Sequence, residues 1–276
     1  MCDRFALAIF SHPGPGSPFG SDSRVRGLRF AFGYSLVEER YRVGWILPDK
    51  LCSLCLQGVS VMRVVSFRGR EDKLVLLGNI FSGYLQGSVL DVGCDQRQLS
   101  PMVSGRYVGI DISGTPDLVV NVEHGLPFKD ESFDTVIAFD VLEHLDKIHY
   151  VFDELCRVAR RYVIIGLPNM YEWRFRVMFL LGKRLSGKYG LPIEPPQDRH
   201  RWLFSLKEAQ SFVRERALRC GFEVCEEVVG YYNYKRLCLR ILTMVGRSLG
   251  KAGINLFAYH YSAVLRRNEV VKGGTP

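Results

Sequence analysis

No stretch of the chain holds the ~20 mainly apolar residues that span a bilayer as a helix. The uncharged run Leu74 to Leu90 is broken by Gly78, Asn79, Ser82, Gly83, Gln86 and Gly87, which excludes a transmembrane reading there. A secretory signal is missing as well: the apolar stretch Phe5 to Phe10 ends at Ser-His-Pro, too short for a signal's apolar core. A cytoplasmic protein is therefore expected. The eight cysteines are scattered through a chain without an export signal, so free thiols are expected rather than a disulfide framework. Cys52 and Cys55 form one C-x-x-C among leucines, and no second pair at zinc spacing follows; these thiols read as buried apolar groups, and no metal site is expected.

What is present is an ordinary globular composition, 47% hydrophobic and 24% charged over 276 residues. That suffices for one sizeable α/β domain with attachments or for two small domains. The net charge of +8 conceals an asymmetry. Residues 1–156 carry 15 basic against 20 acidic side chains, whereas residues 157–276 carry 22 against 9. An acidic half and a basic half are expected to meet different partners.

The first sixty residues show no convincing periodicity, and Ser11 to Ser23 is a Gly/Pro/Ser-rich loop. Residues 1–61 read as a poorly defined extension, or as translated sequence upstream of the true start, and 62–276 as the folded domain. Within that domain, Leu74, Leu76, Leu77, Ile80, Phe81, Tyr84 and Leu85 recur at helical spacing from Glu71 to Gln86. Short apolar strands are predicted at Val89–Val92, Tyr107–Ile112, Leu118–Asn121, Thr135–Phe139 and Tyr162–Gly166, with a helix over Asp146–Arg160 before the last. Ser205-Leu206-Lys207-Glu208 is a capping box opening a helix that runs to Cys220. Phe222–Val229 and Leu256–Leu265 read as two final strands, joined through a basic helix near Tyr234–Ser248. An irregular basic and aromatic insertion, about 167–204, has the length of a lid or acceptor element. The pattern predicts a Rossmann-like doubly wound α/β sheet, mostly parallel, whose ligands sit beyond the carboxyl ends of the strands.

Those strand ends carry polar residues where such a site requires them. In Val89-Leu90-Asp91-Val92-Gly93-Cys94-Asp95, a glycine follows a buried strand directly, where the backbone must turn tightly beside a ligand. Tyr107-Val108-Gly109-Ile110-Asp111 then ends in an acid about twenty residues after the first turn, a position suited to ribose hydroxyls. With Gly125 to Asp134 and Asp140-Val141-Leu142-Glu143-His144-Leu145 added in order, the segment from Val89 to Gly166 resembles class I S-adenosylmethionine-dependent methyltransferases of the type 11 group.

The resemblance implies the seven-stranded fold of that class with an antiparallel final strand, and S-adenosyl-L-methionine as cofactor. By it, Gly93 and Cys94 flank the methionine moiety, Asp91 lies near its amino group and Asp111 with Ile112 binds the ribose side. Asn121 and Val122 flank the adenine, while Phe139 and Asp140 close the pocket. The first turn departs from the family's Gly-x-Gly-x-Gly, because Asp95 and Arg97 stand where glycines are usual. Either the loop turns these side chains outward, or cofactor binding is lost and the chain is a non-catalytic binding or regulatory homologue. A nicotinamide-binding reading lacks the Gly-x-Gly-x-x-Gly fingerprint.

The expected reaction is methyl transfer to an O or N atom of an acceptor. The Asn/Asp-Pro-Pro-Tyr motif of amino-directed nucleic-acid enzymes and the Pro-Cys of cytosine-directed ones are absent, which disfavours nucleic acid. Arg174, Arg176, Lys183, Arg184, Lys188, Arg199 and Arg201 alternate with Trp173, Phe175, Phe179 and Trp202. Such interleaving suits a small or lipid-linked anionic acceptor, or peripheral membrane contact through 171–202 and 234–248; a solvated amphipathic helix gives the same pattern. His200 in the insertion is the candidate general base, followed by His144. No constellation is legible around His12, His124, His149 or His260.

Overall fold

A computed structural model describes residues 6–11 and 59–268, apart from 186, 190, 192, 195–197 and 249. The C-x-x-C of Cys52 and Cys55 lies outside the described residues. Among the described residues, nine strands form one sheet in the order β1-β2-β8-β9-β7-β6-β3-β4-β5. β1 is Ala6–Ser11, β2 Val59–Phe67, β3 Val89–Val92, β4 Tyr107–Asp111, β5 Leu118–Val119, β6 Phe133–Phe139, β7 Ala159–Pro168, β8 Phe222–Tyr232 and β9 Ala258–Arg267. Six helices accompany them among the described residues: α1 Arg70–Ile80, α2 Ile148–Val158, α3 Trp173–Leu180, α4 Leu206–Arg219, α5 Leu237–Ser248 and α6 Gly250–Phe257.

From β5 to β8 the sheet is the expected seven-stranded arrangement. β5, β4, β3, β6 and β7 are parallel, and β9 is antiparallel to both β7 and β8. The addition is at the far edge, where β2 runs parallel to β8 and β1 antiparallel to β2. β2 straddles the domain limit expected at residue 61, because its register with β8 starts at Val61↔Glu226 and runs on to Phe67↔Tyr232.

Successive residues of the central strands point to opposite faces, and each face has its own packed layer. Leu90, Val92, Val136 and Ala138 join α2 and α4 through Phe152, Leu155, Ala209 and Val213. Val89, Ile137, Phe139 and Ile164 meet α1 and the turn after it through Leu77, Phe81 and Leu85. Burial on both faces explains why β3 is buried throughout and reads as an unbroken apolar run but for Asp91. α4 begins at the predicted capping box, with Ser205 Oγ accepting from Glu208 N–H and Glu208 accepting from Ser205 N–H at 2.8 Å. α1 is shorter than its periodicity suggested; after Ile80 the chain tightens into a 3₁₀ turn over Ser82–Tyr84.

Candidate functional site

The turns after β3 and β6 are neighbours because those strands pair in parallel register, Asp91 beside Ile137 and Val92 beside Ala138. Together they line a narrow cleft with Asp91, Gly93, Cys94, Phe139 and Asp140, into which α1 brings Arg70 and Leu74. Five of the nine expected cofactor residues thus share one cavity wall. Gly93 adopts φ +75°, and a Cβ there would lie 2.2 Å from Val141 Cγ2, so this turn requires glycine.

Asp91 is buried and accepts from Tyr107 Oη at 2.7 Å. Loss of hydration raises its pKa to about 7, against the lowering effect of that hydrogen bond. Asp111 lies at the end of β4 and accepts from the N–H groups of Asp95 at 2.9 Å, Ile112 at 2.7 Å and Ser113 at 3.1 Å. Its carboxylate therefore joins the first turn to the second. Ile112 beside it is 69% exposed, a bare apolar side chain at the mouth of the site. Asn121 caps the 3₁₀ turn Val122–His124 by accepting from Glu123 N–H, and Val122 is buried.

The unusual first turn keeps glycine-like geometry without glycines. Asp95 has φ 47° and Arg97 φ 58°, a region costing an L-residue roughly 1–2 kcal/mol. Both side chains find partners around the turn. Asp95 lies 3.4 Å from Arg70, while Arg97 pairs with Asp117 at 2.7 Å and covers the Tyr107 ring at 5.2 Å. Asp95 thus meets an arginine that lines the cleft, while Arg97 is held on the Asp117 and Tyr107 side of the turn.

Asp140 is the convergence point. It too is left-handed, with φ 54°, immediately after β6. Its carboxylate pairs with Lys73 of α1 through one oxygen and lies 3.0 Å from His260 Nε2 through the other. Burial works against the carboxylate, but Lys73 and His260 outweigh it and hold the group well below the usual range. Burial and the Lys73 charge lower His260 to about 4, so a neutral imidazole donates to an ionised Asp140 at physiological pH. Gly166 makes room for this contact: a Cβ there would lie 2.4 Å from Phe139 and 3.1 Å from His260. His260 thus does have a constellation around it, contrary to the sequence reading, and Lys73 was missed altogether. No spacing signal could have found them, because the partners stand 67 and 120 residues from Asp140.

The insertion folds back over this end of the sheet. Asn169 anchors it, donating to Asn255 O and Ala258 O and accepting from the N–H groups of Tyr171 and Leu206. Arg174 is not a free cation: it pairs with Glu172 at 3.0 Å and faces the rings of Tyr232, Tyr234 and Tyr259. His200 is buried, with Nδ1 2.8 Å from Tyr189 Oη. Burial and the neighbouring His144 lower its pKa to about 3. Glu143 is only 1% exposed, and burial followed by repulsion from Asp140 raises its pKa well above the carboxylate norm.

Residues 90–165 match the family model described as a methyltransferase domain. No curated protein matches the chain at a significant level. Among solved structures, a magnesium protoporphyrin IX methyltransferase from Synechocystis PCC 6803 is 17% identical, covering 72% of this chain and 83% of that one, with TM-score 0.46. An S-adenosylmethionine-dependent methyltransferase from Archaeoglobus fulgidus is 17% identical over 73% of this chain and 96% of its own, with TM-score 0.46. Another from Methanosarcina mazei is 17% identical over 68% and 97%, with TM-score 0.45. The matched segment, residues 90–165, carries Asp91, Gly93, Cys94, Phe139 and Asp140 of the cleft.

Proposed function

We propose that the protein transfers a methyl group to an O or N atom of a small, anionic, lipid-linked acceptor, working as a cytoplasmic protein peripheral to a membrane surface. The carrying observation is the apolar and basic surface of α3 and α5. Val177, Phe179, Leu180 and Leu181 are exposed on and after α3, as are Leu237, Ile241, Met244 and Val245 on α5. Lys183, Arg184, Lys235, Arg236 and Arg240 are exposed around them. The segments that open these helices adjoin, with Trp173 and Tyr234 ring centroids 6.3 Å apart. Exposed apolar side chains ringed by cations suit an interface with anionic lipid. Among the described residues no helix is long and apolar enough to cross a membrane, so contact by this surface would be peripheral.

The cleft fits a cofactor bearing a sulfonium and an ammonium. Asp91 and Asp140 supply negative charge at its wall, Gly93 leaves backbone open to approach, and Asp111 with exposed Ile112 offers a carboxylate edge and an apolar face. Asp91, Gly93 and Cys94 would hold the methionine portion, Asp111 and Ile112 the ribose, Asn121 and Val122 the adenine, and Phe139 the inner wall. When bound, the cofactor supplies an electrophilic methyl group, and in-line displacement asks the protein mainly for alignment. Asp140 is suited to that task. Fixed by Lys73 and His260 and kept ionised, it is a poor base but a strong hydrogen-bond acceptor, able to orient an O–H or N–H of the acceptor.

The first test is isothermal titration with S-adenosylmethionine and S-adenosylhomocysteine, with Asp111→Ala as control. Micromolar binding lost in the variant supports the site; absence of binding by the wild type transfers the reading to a non-catalytic homologue. For the acceptor, co-sedimentation with vesicles containing phosphatidylglycerol is expected to exceed that with phosphatidylcholine alone and to fall in Leu180→Glu. Equal binding to both vesicle types, or none, would reject the membrane-facing reading.

A further inference from the structure

We infer that Glu143, His144 and His200 form a binding site for a divalent transition-metal ion, with zinc the best-matched candidate. Their ligand atoms lie within 4.8 Å of one another. Glu143 Oε1 is 3.8 Å from His144 Nε2 and 3.9 Å from His200 Nε2. Donors around a four-coordinate zinc stand about 3.3 Å apart, given metal–ligand distances of ~2.0–2.1 Å, so a small inward movement closes the shell.

Both imidazoles are oriented as metal ligands usually are. The far nitrogen of each ring is engaged, His144 Nδ1 with Asp198 at 2.9 Å and His200 Nδ1 with Tyr189 Oη at 2.8 Å. The Nε2 atoms are thereby turned toward Glu143. A carboxylate or hydroxyl on the outer nitrogen fixes the ring and raises ligand basicity. Asp198 is itself held by Lys188 at 2.8 Å.

The cluster also carries an unmet demand. Among the described residues, His200 Nε2 and Glu143 Oε2 are buried without hydrogen-bond partners, and their side chains are 7% and 1% exposed. Leaving such groups unpaired costs ~1–3 kcal/mol each, a cost that a bound cation would remove. The backbone adds rigidity: Arg201 N–H donates to Glu143 O at 2.8 Å and the Trp202 indole to Leu145 O at 2.7 Å. The ion would therefore clip the insertion onto the turn that carries Asp140. Two imidazoles and one carboxylate suit zinc or iron(II) more than magnesium or calcium, and three protein donors leave a position for water or an acceptor oxygen.

The inference rests on these contacts and not on the acceptor proposed above, so binding is measured without methyl transfer. Full-length protein stripped with a chelator is titrated with zinc in competition with a chromogenic chelator, alongside Glu143→Gln, His200→Ala and Asp198→Asn. The expected result is one tight site, weakened at least ~100-fold in the first two variants and about tenfold in the third. Cobalt(II) substitution of the wild type guards against misfolded variants: a spectrum without thiolate charge transfer is expected and would exclude the cysteines as ligands. Absence of a tight site, unchanged affinity in Glu143→Gln and His200→Ala, or a thiolate-type cobalt spectrum would each overturn the inference.

Discussion

The two sides of the cleft are built by opposite strategies. On the side of β3 and β4, contacts are short in sequence: Asp111 holds the N–H groups of Asp95, Ile112 and Ser113, and Tyr107 reaches Asp91 across 16 residues. On the side of β6, which we propose faces the acceptor, Asp140 is held by groups 67 and 120 residues away, and His200 of the insertion meets Glu143. One side is a local motif that any parallel sheet of this kind can display. The other exists only once α1, the turn after β6, the insertion and β9 have all packed.

That contrast predicts where substitution hurts most. Lys73→Met is expected to have the largest effect, because it leaves the partly buried Asp140 with only His260 against it; breaking a fully buried pair costs ~3–5 kcal/mol, and this one should approach the lower end. Urea unfolding measures it, and adding Asp140→Asn should recover part of the loss. A loss below about 1 kcal/mol would show that the long-range contacts do not hold the acceptor side together.

Next is Asp91→Asn, which should weaken S-adenosylmethionine binding roughly tenfold, or ~1.4 kcal/mol. The pH profile gives the sharper test. With the Asp91 pKa raised to about 7, the neutral form dominates below that value and the carboxylate that complements the cofactor's ammonium dominates above it. Wild-type affinity should therefore rise from about pH 6 to about pH 8 while the variant stays flat. The same raised pKa works against stability: between the unfolded value of 3.8 and about 7 the folded state retains the proton more tightly, so this group's contribution declines as pH rises. A wild-type binding profile as flat as the variant's would remove Asp91 from the cofactor's charge complement.

Ser205→Ala is expected to cost ~1 kcal/mol through loss of the α4 cap, without affecting cofactor binding. It is a local contact within the basic half, so an effect on binding would show that α4 communicates with the cleft. The smallest effect is expected from Asp95→Gly with Arg97→Gly. Relief of left-handed strain and loss of partly exposed ion pairs are of similar size and opposite sign, so thermal stability and affinity should barely move. A tenfold gain in affinity would instead mean that these side chains obstruct the site.

The legible parts of the molecule were those whose signal is local. The turn at Gly93, the acid at Asp111, the capping box at Ser205 and the order of the central strands all lie in windows of a few residues, where periodicity and turn chemistry act. β2 escaped the sequence reading because its partner β8 lies more than 150 residues further along the chain. Arg174 was read as a cation available to an acceptor; its partner Glu172 stands only two residues before it, but the rings of Tyr232, Tyr234 and Tyr259 that surround it lie far along the chain.

By itself, then, the amino-acid sequence determined the doubly wound sheet and a ligand site at its strand ends, because alternating buried strands and glycine turns are properties of neighbouring residues, while the cofactor expected there came from the resemblance of Val89 to Gly166. Only tertiary structure decided that Lys73 and His260 close on Asp140, and that His200 reaches Glu143 and His144. Those contacts depend on the crossing of distant segments at one end of the sheet, where burial converts weak polar pairs into strong ones.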